Sequence, residues 1–214
     1  MKPYKTLLRE AQCEYTVQKS RFISRAVPVP TAEAAHSVIE SARQLNREAN
    51  HHCYAYIIGA NAGIMRYSDD GEPGGTAGLP MMEVLKARDV TDCVVVVTRY
   101  FGGVLLGAGG LVRAYSHSCA LAIAEAGVCE MLPTQRWLFE VEYPLWDKVQ
   151  HLLKSLPVRL MRSDYSATVN FELLCRQTDA ASVTAELTRV TDGRLESLMA
   201  EETFVAWEEQ AKEG

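Results

Sequence analysis

The chain has 214 residues, 48% of them hydrophobic and 23% charged, and its net charge of -5 excludes a generally cationic nucleic-acid binder. No apolar run approaches the roughly 18 residues of a membrane span, and the N-terminal stretch MKPYKTLLREAQ has no apolar signal region, so a cytoplasmic chain without a membrane partner is expected. The six cysteines (Cys13, Cys53, Cys93, Cys119, Cys129, Cys175) form no CxxC pair, which argues against a zinc site or a disulfide framework and suits reduced thiols.

Two runs, near Cys13–Gln18 and Arg21–Val27, read as strands joined by a turn around Lys19-Ser20. Thr31 is placed to cap a helix whose apolar face is Ala35, Val38, Ile39, Ala42 and Leu45. His52–Ile58 reads as a third strand. An acidic, glycine-rich loop follows, Tyr67 to Gly78 (YSDDGEPGGTAG), and Pro80 suits the first turn of a short helix. Asp92–Thr98, with its valines from Val94 to Val97, is a fourth and buried strand. It leads into RYFGGVLLGAGGLVRAY (Arg99–Tyr115), which holds Gly102, Gly103, Gly107, Gly109 and Gly110. A last helix, about Ala108–Ala126, buries Leu111, Tyr115, Cys119, Ala122, Ile123 and Ala126. A sheet covered by helices in α+β style is expected here.

The stretch GVCEMLP (Gly127–Pro133) ends that helix and precedes a fresh alternating strand, so a boundary is placed there, with domains at 1–130 and 134–207. The second part reads as strand Trp137–Tyr143, helix Leu145–Leu156, strands Val158–Arg162 and Ala167–Cys175, helix Asp179–Val190 capped by Thr178 or Asp179, and a closing strand region Arg194–Trp207. The order β-α-β-β-α-β is that of a ferredoxin-like domain, a fold that by itself predicts little about function. The end, EEQAKEG, is expected to fray. Residues 1–130 carry 13 Lys/Arg and 13 Asp/Glu, while residues 131–214 carry 9 and 14 and hence the whole net charge. Anion binding must therefore come from local geometry in the first part.

Three segments can carry chemistry. A buried strand, a glycine-rich loop (Gly102, Gly103, Gly107, Gly109, Gly110) and a helix N-terminus let bare amides approach an anion, with Arg99 and Arg113 at the two ends. The loop is neither a Walker loop, since no Lys-Ser/Thr follows, nor a dinucleotide fingerprint, since Val112 stands where the third glycine belongs. Tight turns and close helix–sheet packing explain the same glycines. In the acidic loop, Asp69, Asp70 and Glu72, beside Gly75 and Thr76, suit a hard cation such as Mg²⁺, a helix cap or a partner-binding surface. On the third strand, His51 shares a face with Cys53 and Ala55, while His52 shares one with Tyr54 and Tyr56. Strand spacing puts His51 and Cys53 too far apart for a ready dyad, and the His52–Tyr54 face suits either base stacking or packing. Arg99 and Phe101 point one way and Tyr100 the other. An arginine beside aromatics suits phosphate and base contacts, and Arg99 paired with Asp69, Asp70 or Glu72 is the alternative. No GxSxG, HExxH or SxxK motif is present, and no catalytic residue is assigned.

The blocks KSRFI (Lys19–Ile23), HHCYAYIIG (His51–Gly59), YSDDGEPGGTAGLPM (Tyr67–Met81) and VVVVTRYFGGVLLGAGGLVRAY (Val94–Tyr115) resemble the signature blocks of the IMPACT family, in the two-domain layout of its bacterial members. The resemblance implies a β-β-β-α-β-α first domain similar to domain 2 of a ribosomal small-subunit protein and to domain IV of elongation factor G. It implies a ferredoxin-like second domain similar to domain V of that factor. Eukaryotic members bind a ribosome-associated activator and restrain a kinase of initiation factor 2, a kinase that bacteria lack. For a bacterial member the resemblance implies regulation of translation through RNA or ribosome-associated partners, with no established reaction and no cofactor. The first domain is also similar to small-molecule kinases, but GAGGLV (Gly107–Val112) lacks their serine pair.

Two readings result. In the first, Arg99, Arg113 and the loop amides meet RNA phosphates, with aromatics such as Tyr54, Tyr67 or Tyr100 near bases and His52 on the Tyr54 face. In the second, an enzyme holds a phosphorylated small molecule or nucleotide, with Mg²⁺ on Asp69, Asp70 and Glu72. A protein-docking role for the same loops is a third.

Overall fold

The computed structural model describes residues 1–207; the frayed end expected at 208–214 lies outside the described residues. Contacts divide the chain into a front unit, Tyr4–Glu130, and a back unit built from Met1–Pro3 and the residues from Met131 onward.

The front unit runs β1 (Tyr4–Leu7), β2 (Ala11–Val17), β3 (Ser20–Pro28), α1 (Ala32–Leu45), β4 (His51–Ile58), β5 (Ile64–Ser68), α2 (Gly78–Ala87), β6 (Cys93–Tyr100) and α3 (Gly107–Ala126). Its α+β character is as expected, but the element string is longer than β-β-β-α-β-α. The strands β1 and β5 went unread because each is very short and β5 lies exposed at a sheet edge, where nothing imposes an alternating pattern. The sheet order is β2-β3-β6-β4-β5, with every neighbour antiparallel. Gln18 and Lys19, both at positive φ, turn β2 into β3.

β6 explains the layering. It is the middle strand and is buried on both faces, so its sequence is a near-continuous valine run. Val94 and Val96 pack with α1 (Ala35, Ile39, Ala42), while Cys93, Val95 and Val97 pack with α2 and α3 (Met81, Leu85, Tyr115, Cys119, Ile123). Each fully buried valine contributes about 1.5–3 kcal/mol. Thr31 caps α1 by accepting the Ala34 N–H at 3.2 Å. Leu45, expected on that helix's buried face, is 74% exposed because it closes the last turn beyond the sheet. Gly102 is fixed by close approach: a Cβ there would stand 2.0 Å from the Lys19 carbonyl carbon, against backbone that cannot move aside.

In the back unit, β7 (Val128–Val141), α4 (Tyr143–Leu153), β8 (Val158–Tyr165), β9 (Val169–Arg176), α5 (Ala180–Val190) and β10 (Leu195–Ala206) follow one another. Antiparallel pairing sets the order β10-β7-β9-β8, the ferredoxin-like arrangement. Phe139, Phe171 and Leu173 from the sheet meet Trp146, Val149, Val183 and Leu187 from the helices. Asp179 stands at the start of α5 without a side-chain capping bond; it accepts from Thr178 Oγ1 instead. The stretch Gly127–Pro133, read as a boundary segment, is strand from Val128 onward, and the two units part within β7.

Candidate functional site

Sheet register brings Phe22 of β3, Arg99 of β6 and His51 of β4 abreast at one end of the three central strands. All three belong to the face that carries α2 and α3. The loop after β5 folds over this end, and Glu72 enters beneath it, 8% exposed. Arg99 Nη1 donates to Glu72 Oε1 at 2.7 Å, and Tyr115 OH donates to the same oxygen at 2.7 Å. Burial pushes the Tyr115 phenol far above its ordinary range, so it stays protonated and donates. Arg99 Nη2 reaches Ser20 Oγ at 3.3 Å, and its guanidinium carbon lies 5.5 and 5.6 Å from the ring centres of Phe22 and Phe101. Arg99 Nε is buried without a hydrogen-bond partner among the described residues. Arg99 thus takes the pairing with Glu72 rather than standing free.

His51 Nδ1 lies 2.9 Å from the Asp70 carbonyl oxygen. A carbonyl only accepts, so Nδ1 carries the proton. Nε2 then faces Glu72 Oε2 at 3.9 Å. Above this floor opens a cleft of about 420 Å³, walled by Pro73, Phe101, Leu105, Leu106 and Leu111 and rimmed by Gly107 and Ala108. Phe101 and Leu105 are 45% and 84% exposed.

Gly107, at φ +68, swings the chain into α3, whose N-terminus has no side-chain cap. Gly107 and Gly109 are exposed, and Gly110 is half-buried against Leu106. A Cβ on Gly103 or Gly107 would meet nothing, and one on Gly109 would meet only Arg113 Nη1, at 3.6 Å. The exposed Arg113 side chain therefore folds back over the first turn of α3. Among the described residues it has no ion pair and no hydrogen bond. A cation beside the positive end of a helix is an unfavourable arrangement that an anion relieves.

Strand alternation separates His52, Tyr54 and Tyr100 from this cleft, which corrects the expectation that they join the glycine loop. They lie on the α1 face. His52 Nδ1 pairs with Thr98 Oγ1 at 3.1 Å, and burial lowers its pKa. Tyr54 stacks on Tyr56 with ring centres 6.2 Å apart, packed on the α1 core. Tyr100 OH donates to Asn46 Oδ1 at 3.0 Å.

The acidic loop also differs from a cation site, because its carboxylates diverge. Asp69 accepts the N–H groups of Gly75, Ala77 and Gly78 at 2.8, 3.0 and 2.8 Å and so caps α2 from a distance in sequence. Burial raises its pKa, but the three backbone donors outweigh burial and hold it below the ordinary range. Asp70 accepts from Arg43 Nη2 and from the His52 N–H. Thr76 Oγ1 donates to the Pro73 carbonyl. Among the described residues no three His, Cys, Asp or Glu are grouped to hold a metal ion. The contributions that residue patterns did not reveal are those of Tyr115 and of the His51 tautomer, since both depend on cross-strand register.

Residues 18–123 match the family model described as the Impact N-terminal domain, and residues 139–194 match one described as a domain of unknown function, DUF1949. The IMPACT family member YvyE of Bacillus subtilis (strain 168) is 36% identical over 202 residues, 94% of this chain and 93% of that one. The chain belongs to the IMPACT family. The family member YigZ of Escherichia coli (strain K12) is 35% identical over 188 residues, 87% of this chain and 92% of its own. The Protein IMPACT homolog of Saccharomyces cerevisiae (strain ATCC 204508 / S288c) is 32% identical over 95 residues, which is 43% of this chain and 37% of that protein. A solved structure described as the crystal structure of a hypothetical protein superposes with a TM-score of 0.63 at 32% identity, covering 94% of this chain and 98% of that one. The residues of the cleft, from Asn50 to Leu111, fall inside the Impact N-terminal match. Among the described residues no helix is long and apolar enough to cross a membrane.

Proposed function

We propose that this IMPACT-family chain acts in translation by binding RNA, free or on the ribosome, through phosphates received at the N-terminus of α3. The observation that carries the reading is the uncapped, open first turn of α3 with the Arg113 guanidinium, unpartnered among the described residues, folded over it. Backbone N–H groups and a lone guanidinium together form a phosphate site without a strongly basic surface, which suits a front unit whose charges balance. An enzyme acting with Mg²⁺ on a phosphorylated small molecule needs carboxylates that converge, and Asp69, Asp70 and Glu72 point to three different partners.

The test is filter binding of single-stranded RNA across a salt series. Affinity should fall steeply with salt, and Arg113→Ala should make the slope of log K against log salt shallower by about 0.7 for the one phosphate contact removed. Gly109→Asp, which sets a carboxylate where the phosphate sits, should weaken binding further. Unchanged affinity and slope in the double variant would reject the site. Ribosome association that survives nuclease treatment and is insensitive to both substitutions would point to a protein-docking role instead.

A further inference from the structure

The geometry points to the cleft beside α3 as a binding pocket for a nucleotide whose base sets an amino group beside an acceptor ring nitrogen on its pairing edge, adenine or cytosine, with its phosphate at the α3 amides. This rests on the reading of α3 as a phosphate site and adds to it what sits beyond the phosphate.

Four features lead there. The cleft, about 420 Å³, lies within the range of small-molecule sites and combines apolar walls with a few convergent polar groups. Phe101 and Leu105 expose large apolar surfaces at its mouth, where a flat ring can lie against them. On the floor, His51 Nε2 and Glu72 Oε2 stand 3.9 Å apart. In the neutral ring with its proton on Nδ1, His51 Nε2 and Glu72 Oε2 are both acceptors, and two adjacent acceptors call for a group with two N–H bonds. Arg99 also lines the cleft. It is only 5% exposed, and its Nε–H has no partner, so it calls for an acceptor. A donor amino group beside an acceptor ring nitrogen is the pairing edge of adenine and of cytosine. Hypoxanthine and uracil present the reverse pattern, a carbonyl beside a ring N–H. The open α3 N-terminus at the rim then takes the phosphate attached to that base's sugar. A free nucleotide and an unstacked base of single-stranded RNA share this chemistry.

The experiment is a heteronuclear NMR titration of the full chain with adenosine monophosphate, inosine monophosphate, adenosine and inorganic phosphate. Adenosine monophosphate should shift the His51 ring, the Phe101 amide and the amides of Gly107 to Gly109. Inosine monophosphate should bind about tenfold or more weakly, because it leaves the floor groups unmatched. Gly109→Asp should weaken adenosine monophosphate about tenfold while leaving adenosine unchanged; the added carboxylate suits a helix first turn, so the fold is kept. His51→Leu should remove the preference for adenosine over inosine monophosphate. Equal binding of the two nucleotides, or binding of inorganic phosphate as strong as that of the nucleotide, would overturn the pocket. A short single-stranded RNA of adenosines that displaces the nucleotide identifies RNA as the source of the base. RNA that binds through Arg113 while adenosine monophosphate produces no shifts would overturn the pocket and leave the RNA reading standing. Nucleotide binding unaffected by RNA would support the pocket and reject the shared phosphate site.

Discussion

Arg99→Met tests the floor of the cleft. The substitution keeps the apolar stem of the side chain but removes the partner of Glu72, whose carboxylate side chain is only 3% exposed. Glu72 would then hold one hydrogen bond, from Tyr115, with His51 Nε2 3.9 Å from its other oxygen. Leaving a buried charge uncompensated costs about 3–5 kcal/mol, a large share of the roughly 5–15 kcal/mol that a domain has. Glu72→Gln strands the guanidinium in the same way and should cost a similar amount. The double variant Arg99→Met/Glu72→Gln removes both charges and should lie within about 2 kcal/mol of the parent, giving a coupling energy well above 2 kcal/mol. Urea unfolding followed by far-UV circular dichroism, with hydrogen exchange at the β6 amides, reads the front unit directly. Tryptophan emission does not, because Trp137, Trp146 and Trp207 all lie in the back unit. Single variants that each cost less than about 1 kcal/mol, or strictly additive effects, would refute a buried pair at this position.

The glycines of the loop should separate by position in thermal melts. Gly102→Ala forces a Cβ into the Lys19 backbone and should destabilise by about 1–3 kcal/mol, whereas Gly109→Ala enters open space in a helix and should stabilise by up to about 1 kcal/mol. Asp69→Ala leaves the start of α2 without its acceptor and should cost about 1–2 kcal/mol by chemical denaturation. Acid should destabilise the parent in two stages. His52 has a folded pKa below its unfolded value, so the stability it contributes is complete above about 6.5 and is lost as the pH falls through the lower folded value. Asp69, also depressed, contributes stability above about 3.9 that is lost at still lower pH, and Asp69→Asn should flatten only the second stage. Native-state labelling by a thiol reagent should leave Cys53 and Cys93 unmodified, since burial pushes both thiols up to about 12, and should reach the partly exposed Cys13 and Cys129 first.

What was legible in the chain is what short-range periodicity records. The α3 stripe from Leu111 to Ala126, the Thr31 cap and the ferredoxin-like order of the back unit all follow from spacing that a buried face imposes. β5 was not legible, because an exposed edge strand has no face to bury, and Leu45 misled because apolar spacing runs one turn further than the surface that α1 covers. The candidate site was legible in part. Alternation along β6 correctly sets Arg99 and Phe101 opposite Tyr100. What spacing could not give is the destination of each carboxylate, since Asp69, Asp70 and Glu72, within four residues, reach an α2 start, a helix α1 arginine and a strand β6 arginine through tertiary contacts alone. For the same reason His52 and Tyr54, chosen for their chemistry, turned out to face α1.

The backbone amides from Gly107 to Leu111 form the proposed phosphate site. Followed in proton–nitrogen correlation spectra while single-stranded RNA is added, these resonances should move together, saturate at the dissociation constant seen by filter binding, and stop responding in Gly109→Asp. Amides that stay in place while RNA binds elsewhere on the chain would contradict it.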